Sequence, residues 1–278
     1  MKILLRVFQL LLALWFVSTA GFAQTPDKPY EPIVGQEGRD VVWVPTPAVT
    51  VEKMLDVAKI TPEDFVMDLG SGDGRNIIAA AKRGVPGLGV EFNAEMVEYS
   101  RRVAAREGVG ELAQFVEGDM FAADLSRATV LALFLLPDNL NKLMPNFLDL
   151  KPGTRIVLNH FGIDGWEADE TTRADGDCGS WCTVLLLIVP AKVQGTWLLP
   201  QGKLKLEQKF QKLTGTLTAG GASAAVEGRV RGDEINFTAG GVAYEGRVSG
   251  EIIAGVAKGS QTIAWKAVRK RSRSFGKS

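Results

Sequence analysis

The sequence predicts an α/β chain in which a doubly wound sheet with helices on both faces is followed by an antiparallel β region. Three observations carry that reading. Short apolar runs alternate with helical periodicity from about Val41 to Pro190, the signature of β-α units and a parallel sheet. One buried strand, Phe65–Leu69, runs straight into a glycine-rich turn and a helix. After Pro190 the helical pattern stops and two-residue alternation punctuated by glycine takes over.

Composition sets the outer limits. The 278 residues carry 32 Lys and Arg against 32 Asp and Glu, and 46% are hydrophobic, enough for one large core or two modest ones. Collagen-like, disordered and cysteine-scaffold classes are excluded. A formal charge of zero argues against a protein that holds nucleic acid by charge. With one His and two Cys, a Cys/His zinc cluster is excluded and no metal is expected.

In chain order, residues 1–23 read as a secretory signal. Lys2 and Arg6 precede the apolar run Leu10–Val17, and small residues follow, with Gly21 and Ala23 placed before a cut. Export is the expectation, to the periplasm in a bacterium, or membrane anchoring if the segment is retained. Its removal takes away two basic residues and no acid, leaving a formal charge of −2. Residues 24–40 read as a linker.

Within the α/β region, 41–190, strands are predicted at Phe65–Leu69, Gly87–Glu91, Gln114–Glu117, Thr129–Phe134, Arg155–Asn159 and Thr183–Val189. Between them lie helical stretches at Val51–Ala58, Arg75–Arg83, Ala94–Arg106 and Asn139–Leu148, the last stopped by Lys151-Pro-Gly153. Cys178 and Cys182 enclose Gly-Ser-Trp. A bridge requires Gly179 and Ser180 to turn, since extended strand holds the sulfurs too far apart; inert thiols are the alternative. Trp166 and Trp181 read as packing aromatics.

Beyond Pro190 an internal repeat is visible. Glu227-Gly-Arg-Val-Arg-Gly-Asp-Glu-Ile235 returns 18 residues later as Glu245-Gly-Arg-Val-Ser-Gly-Glu-Ile-Ile253. Such units suit successive hairpins, a meander or a small open barrel over 191–268. The basic tail 269–278, with Arg269, Lys270, Arg271, Arg273 and Lys277, reads as a solvated end or as a surface for anionic lipid or a partner.

The chemistry lies in Val66-Met-Asp-Leu-Gly-Ser-Gly-Asp-Gly-Arg75 and the helix after it. Glycines let a ligand approach backbone where a Cβ would intrude, and the helix N-terminus adds donors. Glu91 ends the next strand 21 residues after Gly70, where a carboxylate accepts hydrogen bonds from two ribose hydroxyls. A dinucleotide fingerprint would place its third glycine where this chain has Arg75.

The run Asp68-Leu-Gly-Ser-Gly-Asp-Gly74 resembles motif I of the class I S-adenosylmethionine-dependent methyltransferases, whose sheet is Rossmann-like. The resemblance implies S-adenosylmethionine as cofactor. It places Asp68 near the amino-acid end, Gly70, Ser71, Gly72 and Gly74 along the cofactor, Glu91 with Asn93 at the ribose, and Asp119 with Met120 at the adenine. Leu135-Leu-Pro-Asp-Asn139 falls where substrate is met.

A narrower resemblance covers about Val44 to Pro190. Val44-Pro-Thr-Pro47, the run Asp68–Lys82, Gly89-Val-Glu-Phe-Asn93, Tyr99-Ser-Arg-Arg102 and Arg106-Glu-Gly108 are similar to the mitochondrial lysine methyltransferases of the ATP synthase c-subunit and the adenine nucleotide translocase, and to their bacterial relatives. That family implies methyl transfer to a lysine of a protein substrate, in particular a membrane protein, with no nucleic acid partner. Asp138 and Asn139 are candidates to orient the amine, and Thr46 and Pro137 to line the pocket mouth. His160, the one imidazole, is a candidate base or a structural residue. Two rival readings stand beside this one: an exported binding protein on a non-catalytic scaffold, and a small-molecule methyltransferase.

Overall fold

The computed structural model describes residues 29–39, 41–200 and 202–270. The signal predicted at 1–23 and the tail residues 271–278 lie outside them. Every element below belongs to the unit Pro32–Ser278.

Among the described residues seven strands form one sheet: β1 (Val66–Leu69), β2 (Gly87–Glu91), β3 (Ala113–Glu117), β4 (Val130–Leu133), β5 (Arg155–Asn159), β6 (Glu170–Arg173) and β7 (Thr183–Ile188), in the order β3-β2-β1-β4-β5-β7-β6. The first five are parallel. The central strands β1 and β4 are buried at every residue, as two covered faces demand. Side chains alternate between those faces. Val66, Val130, Ala132 and Val157 pack under helices α1 (Ala48–Val57), α2 (Arg75–Lys82) and α3 (Ala94–Arg106), while Met67, Leu131, Leu133 and Leu158 pack under α4 (Pro137–Leu148).

The structure departs from the sequence reading in the direction of one strand, in an added edge strand and at two helix starts, α1 opening at Ala48 where Val51 was expected. β7 runs antiparallel to β5, and β6 antiparallel to β7. β6 is Glu-Thr-Thr-Arg at the sheet edge, and its lack of apolar alternation hid it. Helix α4 starts two residues earlier than predicted because Pro137, with its preset φ, opens the first turn. Among the described residues no helix is long and apolar enough to cross a membrane.

The C-terminal region is the expected antiparallel meander, and it closes into a barrel where the sequence suggested an open one. Its strands are β8 (Gly195–Leu199), β9 (Gly202–Lys209), β10 (Lys212–Ala219), β11 (Ala222–Arg231), β12 (Glu234–Ala239), β13 (Val242–Ser249), β14 (Ile252–Lys258) and β15 (Thr262–Arg269). Closure comes from β15 on β8, through Val268 opposite Leu198 and Arg269 opposite Trp197, and removes the exposed edges a meander would leave. Arg269 therefore belongs to the last strand and not to a tail. Its guanidinium donates to the Gln194 carbonyl at 2.7 Å and lies 4.2 Å from the Trp197 ring centre. The repeated Glu-Gly-Arg-Val unit holds glycine because strands crowd there: a Cβ on Gly228 would sit 2.2 Å from the Asn236 carbonyl oxygen.

Trp197 fills the barrel, fully buried with Leu204, Leu206, Val230 and Ile253, and its indole N–H donates to the Val193 carbonyl at 2.8 Å. Trp197→Ala removes that volume and orphans the carbonyl. We expect a loss of about 3 to 5 kcal/mol of stability, read by denaturant unfolding. The barrel is tied to the sheet by Trp166, a buried packing aromatic stacked on Phe210 with centroids 5.3 Å apart, and by Gln211, whose amide donates to the Glu167 carbonyl at 2.6 Å.

Candidate functional site

The turn from β1 into α2 holds three glycines at positive φ: Gly70 (69°), Gly72 (53°) and Gly74 (81°). At Gly72 space is as restrictive as conformation, because a Cβ would stand 2.5 Å from the Trp43 indole nitrogen. Its N–H donates to Glu91 Oε2 at 2.9 Å, and Asn93 N–H donates to Oε1 at 3.0 Å, so the carboxylate at the end of β2 is aimed at the turn. Asn93 itself caps α3, accepting from the N–H groups of Glu95 and Met96. Gly74 has a different task from the one the sequence suggested. It does not line the cavity; it caps α2, and a Cβ there would strike the Phe115 ring at 2.6 Å.

Asp68 is buried on β1, beside α2. Asn76 Nδ2 donates to its Oδ2 at 3.0 Å and to the Ala132 carbonyl at 3.1 Å. Burial pushes the Asp68 carboxyl well above the usual carboxylate range, against the hydrogen bond from Asn76, and the charges of Glu91 and Asp73 add to the rise. A cation brought to this carboxylate would restore its ionised form. Ser71 Oγ and Asn76 Oδ1, both in residues of the cavity wall, are buried without a hydrogen-bond partner.

These residues border a cavity of about 500 Å³ at the C-terminal ends of the parallel strands, where the order reverses between β1 and β4. One half is made by Asp68, Gly70 to Gly72, Glu91, Asn93, Asp119 and Met120. Asp119 accepts from the Phe121 N–H at 2.9 Å and pairs with Arg39 at 3.2 Å; the backbone donor holds its carboxyl below the ordinary value against the cost of burial, and Arg39 adds to the fall. The other half comes from the ends of β4 and β5, the first turn of α4 and the loop entering β7: Phe134, Leu135, Leu136, Asn139, Phe161 and Trp181. Thr46 lies on the wall, its carbonyl accepting from Arg75 at 2.6 Å.

Besides Gly74, three predicted site residues are not brought to the cavity. Asp138, one position before Asn139 on α4, is exposed and turned away by the helical rotation. Pro137 serves as the first residue of that helix and is not on the wall. His160 stands behind the wall, edge-on to Phe161 and Trp181 with centroids 4.8 and 4.9 Å away, and its Nδ1 is buried without a partner.

Sequence reasoning also missed part of the wall. Residues 36–39, read as a linker, border the cavity, held by reciprocal backbone hydrogen bonds of Gly35 and Gln36 with Trp43. Arg39 lies 4.4 Å from the Phe92 ring centre. Trp181, read as packing, faces the cavity, and Cys178 and Cys182 on either side of it are bridged. The short bridge was the one signal in the sequence that could have marked Trp181 as a held residue.

Residues 68–170 match the model of a family described as the ANTKMT methyltransferase domain. A protein-lysine N-methyltransferase of Saccharolobus islandicus (strain REY15A) is 41% identical over 154 residues, covering 54% of this chain and 94% of that protein. The lysine N-methyltransferase of the ATP synthase c-subunit from Rattus norvegicus is 34% identical over 131 residues, 47% of this chain and 60% of that enzyme. A crystal structure of an RNA methyltransferase from Salinibacter ruber in complex with S-adenosyl-L-homocysteine aligns at 40% identity and a TM-score of 0.50, over 54% of this chain and 96% of that one. The barrel lies outside the family match. The site suits S-adenosylmethionine: a carboxylate for its ammonium at Asp68, a carboxylate at Glu91 for the ribose hydroxyls, and a turn without side chains between them.

Proposed function

The chain belongs to the ANTKMT methyltransferase family, and we propose that it transfers the methyl group of S-adenosylmethionine to the side-chain amine of a lysine in a protein. The observation that carries this is one cavity with two unlike halves, a glycine-turn half rich in carboxylates on β1 to β3 and an apolar, aromatic half on β4, β5 and β7. The sulfonium supplies an activated methyl with its own leaving group. The chain's residues then have to position the acceptor and exclude water. Apolar walls favour the neutral form of a lysine amine by desolvation, with its proton passing to water before attack. Asn139 offers an amide oxygen to the remaining N–H. As the nitrogen lone pair forms the N–C bond, the C–S bonding pair returns to sulfur.

A membrane protein is the form of substrate we propose, which the name of the rat relative supports. Export or membrane attachment is likewise proposed. It is supported by the charge and apolar pattern of residues 1–23 and by the Cys178–Cys182 bridge, which suits an oxidising compartment.

The description of the Salinibacter ruber structure favours a second reading, RNA as acceptor. Charge at the site speaks against it. Among the described residues the cations of the wall are Arg39 and Arg75, each already paired with an acid, Asp119 and Asp73. A polyanion needs unpaired cations along its path. The two readings separate by incubating the protein with methyl-labelled cofactor and a cell extract. Protease-sensitive, nuclease-resistant label is expected; nuclease-sensitive label would make RNA the substrate.

A further inference from the structure

The aromatic half of the cavity has a composition that lysine transfer alone does not require. Phe134 and Phe161 have ring centroids 6.3 Å apart and planes 15° from parallel, and Trp181 is tilted 60° to the first and 58° to the second at 5.2 and 6.0 Å. The three rings form a corner, and all three border the cavity while remaining only partly buried. They arrive from separate elements: the end of β4, the end of β5 and the loop entering β7.

Trp181 is held more firmly than an ordinary loop residue. It sits inside the Cys178–Cys182 bridge, and its carbonyl accepts from Asn159 Nδ2 at 2.8 Å and Thr50 Oγ1 at 3.0 Å. His160 packs edge-on behind Phe161 and Trp181. A ring fixed on this many sides is preorganised to receive a ligand.

The charge distribution says which ligand. The described acids of the wall, Glu37, Asp68, Asp73, Glu91 and Asp119, belong to the N-terminal strap or to the ends of β1 and β2 and the turn after β3. Of the wall residues contributed with these rings by β4, α4, β5 and the loop entering β7, Asn139 is the polar one, and Asp138 is turned away. A cation there meets π faces in place of a carboxylate. That suits an alkylammonium group whose N–H donors have been replaced by methyl groups, because it needs no acceptor and gains from the negative ring faces.

We propose that Phe134, Phe161 and Trp181 form an aromatic box that binds a methylated alkylammonium, the side-chain head of a methylated lysine. The inference rests on the lysine reading for the identity of the side chain, but the box is a property of the three rings. Its binding is measurable without turnover.

The test is calorimetric, with the purified full-length chain loaded with S-adenosylhomocysteine. Two probes are titrated: Nα-acetyl-Nε,Nε,Nε-trimethyl-lysine amide and its neutral isostere, with carbon in place of the quaternary nitrogen. The cation should bind about tenfold tighter than the isostere. Trp181→Leu, which keeps an apolar side chain and loses the π face, should abolish that preference, and Trp181→Phe should keep most of it. S-adenosylhomocysteine affinity, measured on each variant, should stay within about twofold, since Trp181 stands on the other half of the cavity. Equal binding of cation and isostere, no binding of the cation, or a preference that survives in Trp181→Leu would overturn the box. A preserved cation preference in a protein that labels no polypeptide would uphold the box and remove the lysine reading instead.

Discussion

Gly72→Val is expected to weaken S-adenosylmethionine binding on the order of a hundredfold, about 2.7 kcal/mol. Two independent effects add. Gly72 sits at φ 53°, a conformation that costs an L-residue about 1–2 kcal/mol and a β-branched one more. The new Cβ would also stand 2.5 Å from the Trp43 indole nitrogen, so either Trp43 or the turn must move. If the turn moves, the Gly72 N–H leaves Glu91 Oε2 and the carboxylate loses the donor that aims it. Calorimetric titration reads the affinity. The barrel, with a core of its own around Trp197, should keep its far-UV signature, so that lost binding is not mistaken for lost folding.

Asp68→Asn should have opposite effects on the free protein and on the complex. In the free protein burial holds the Asp68 carboxyl well above its ordinary value, so the folded chain keeps a proton that the unfolded chain has released. Stability from this group is therefore full below the ordinary carboxylate pKa and is lost as pH rises through the raised native value. Above the ordinary carboxylate range the buried Asp68 is therefore a cost to the free protein. An asparagine removes that cost and keeps an oxygen to accept from Asn76 Nδ2, so the free variant should melt several degrees higher and its stability should vary less with pH. Cofactor binding should fall about tenfold to a hundredfold, because the partner for the cofactor's ammonium is gone. Wild-type affinity should rise with pH through the titration of Asp68, and the variant should lose that rise. A variant that is less stable and binds unchanged would show that Asp68 serves the fold and not the ligand.

The two halves of the cavity differ in how legible they were. Asp68, the glycine turn and Glu91 are consecutive, or one β-α unit apart, and the chemistry of a close backbone approach leaves a fixed spacing in the chain. The aromatic half has no such spacing. Phe134, Phe161 and Trp181 meet because β4, β5 and β7 lie side by side in the sheet, and that adjacency depends on β7 entering antiparallel to β5, which apolar runs do not encode. Asp138 and Asn139 show the limit of resolution within a single element. Both were plausible from the sequence, and one step of helix rotation separates the residue on the wall from the one in solvent. Barrel closure was hidden for a similar reason, since β8 and β15 pair across the length of the region through only two residue pairs. The repeat that suggested hairpins was local and could be read; the pairing of first strand with last was not.

This cavity is built to methylate a lysine side chain. The most direct test of that activity is to incubate the purified protein with deuteromethyl S-adenosylmethionine and a membrane fraction, then locate the added mass by fragmentation. Deuteromethyl groups are expected on lysine Nε of a membrane polypeptide, and they should be absent when Gly72→Val replaces the wild type. Label found on RNA, on a small metabolite, or on another amino-acid side chain would contradict the claim.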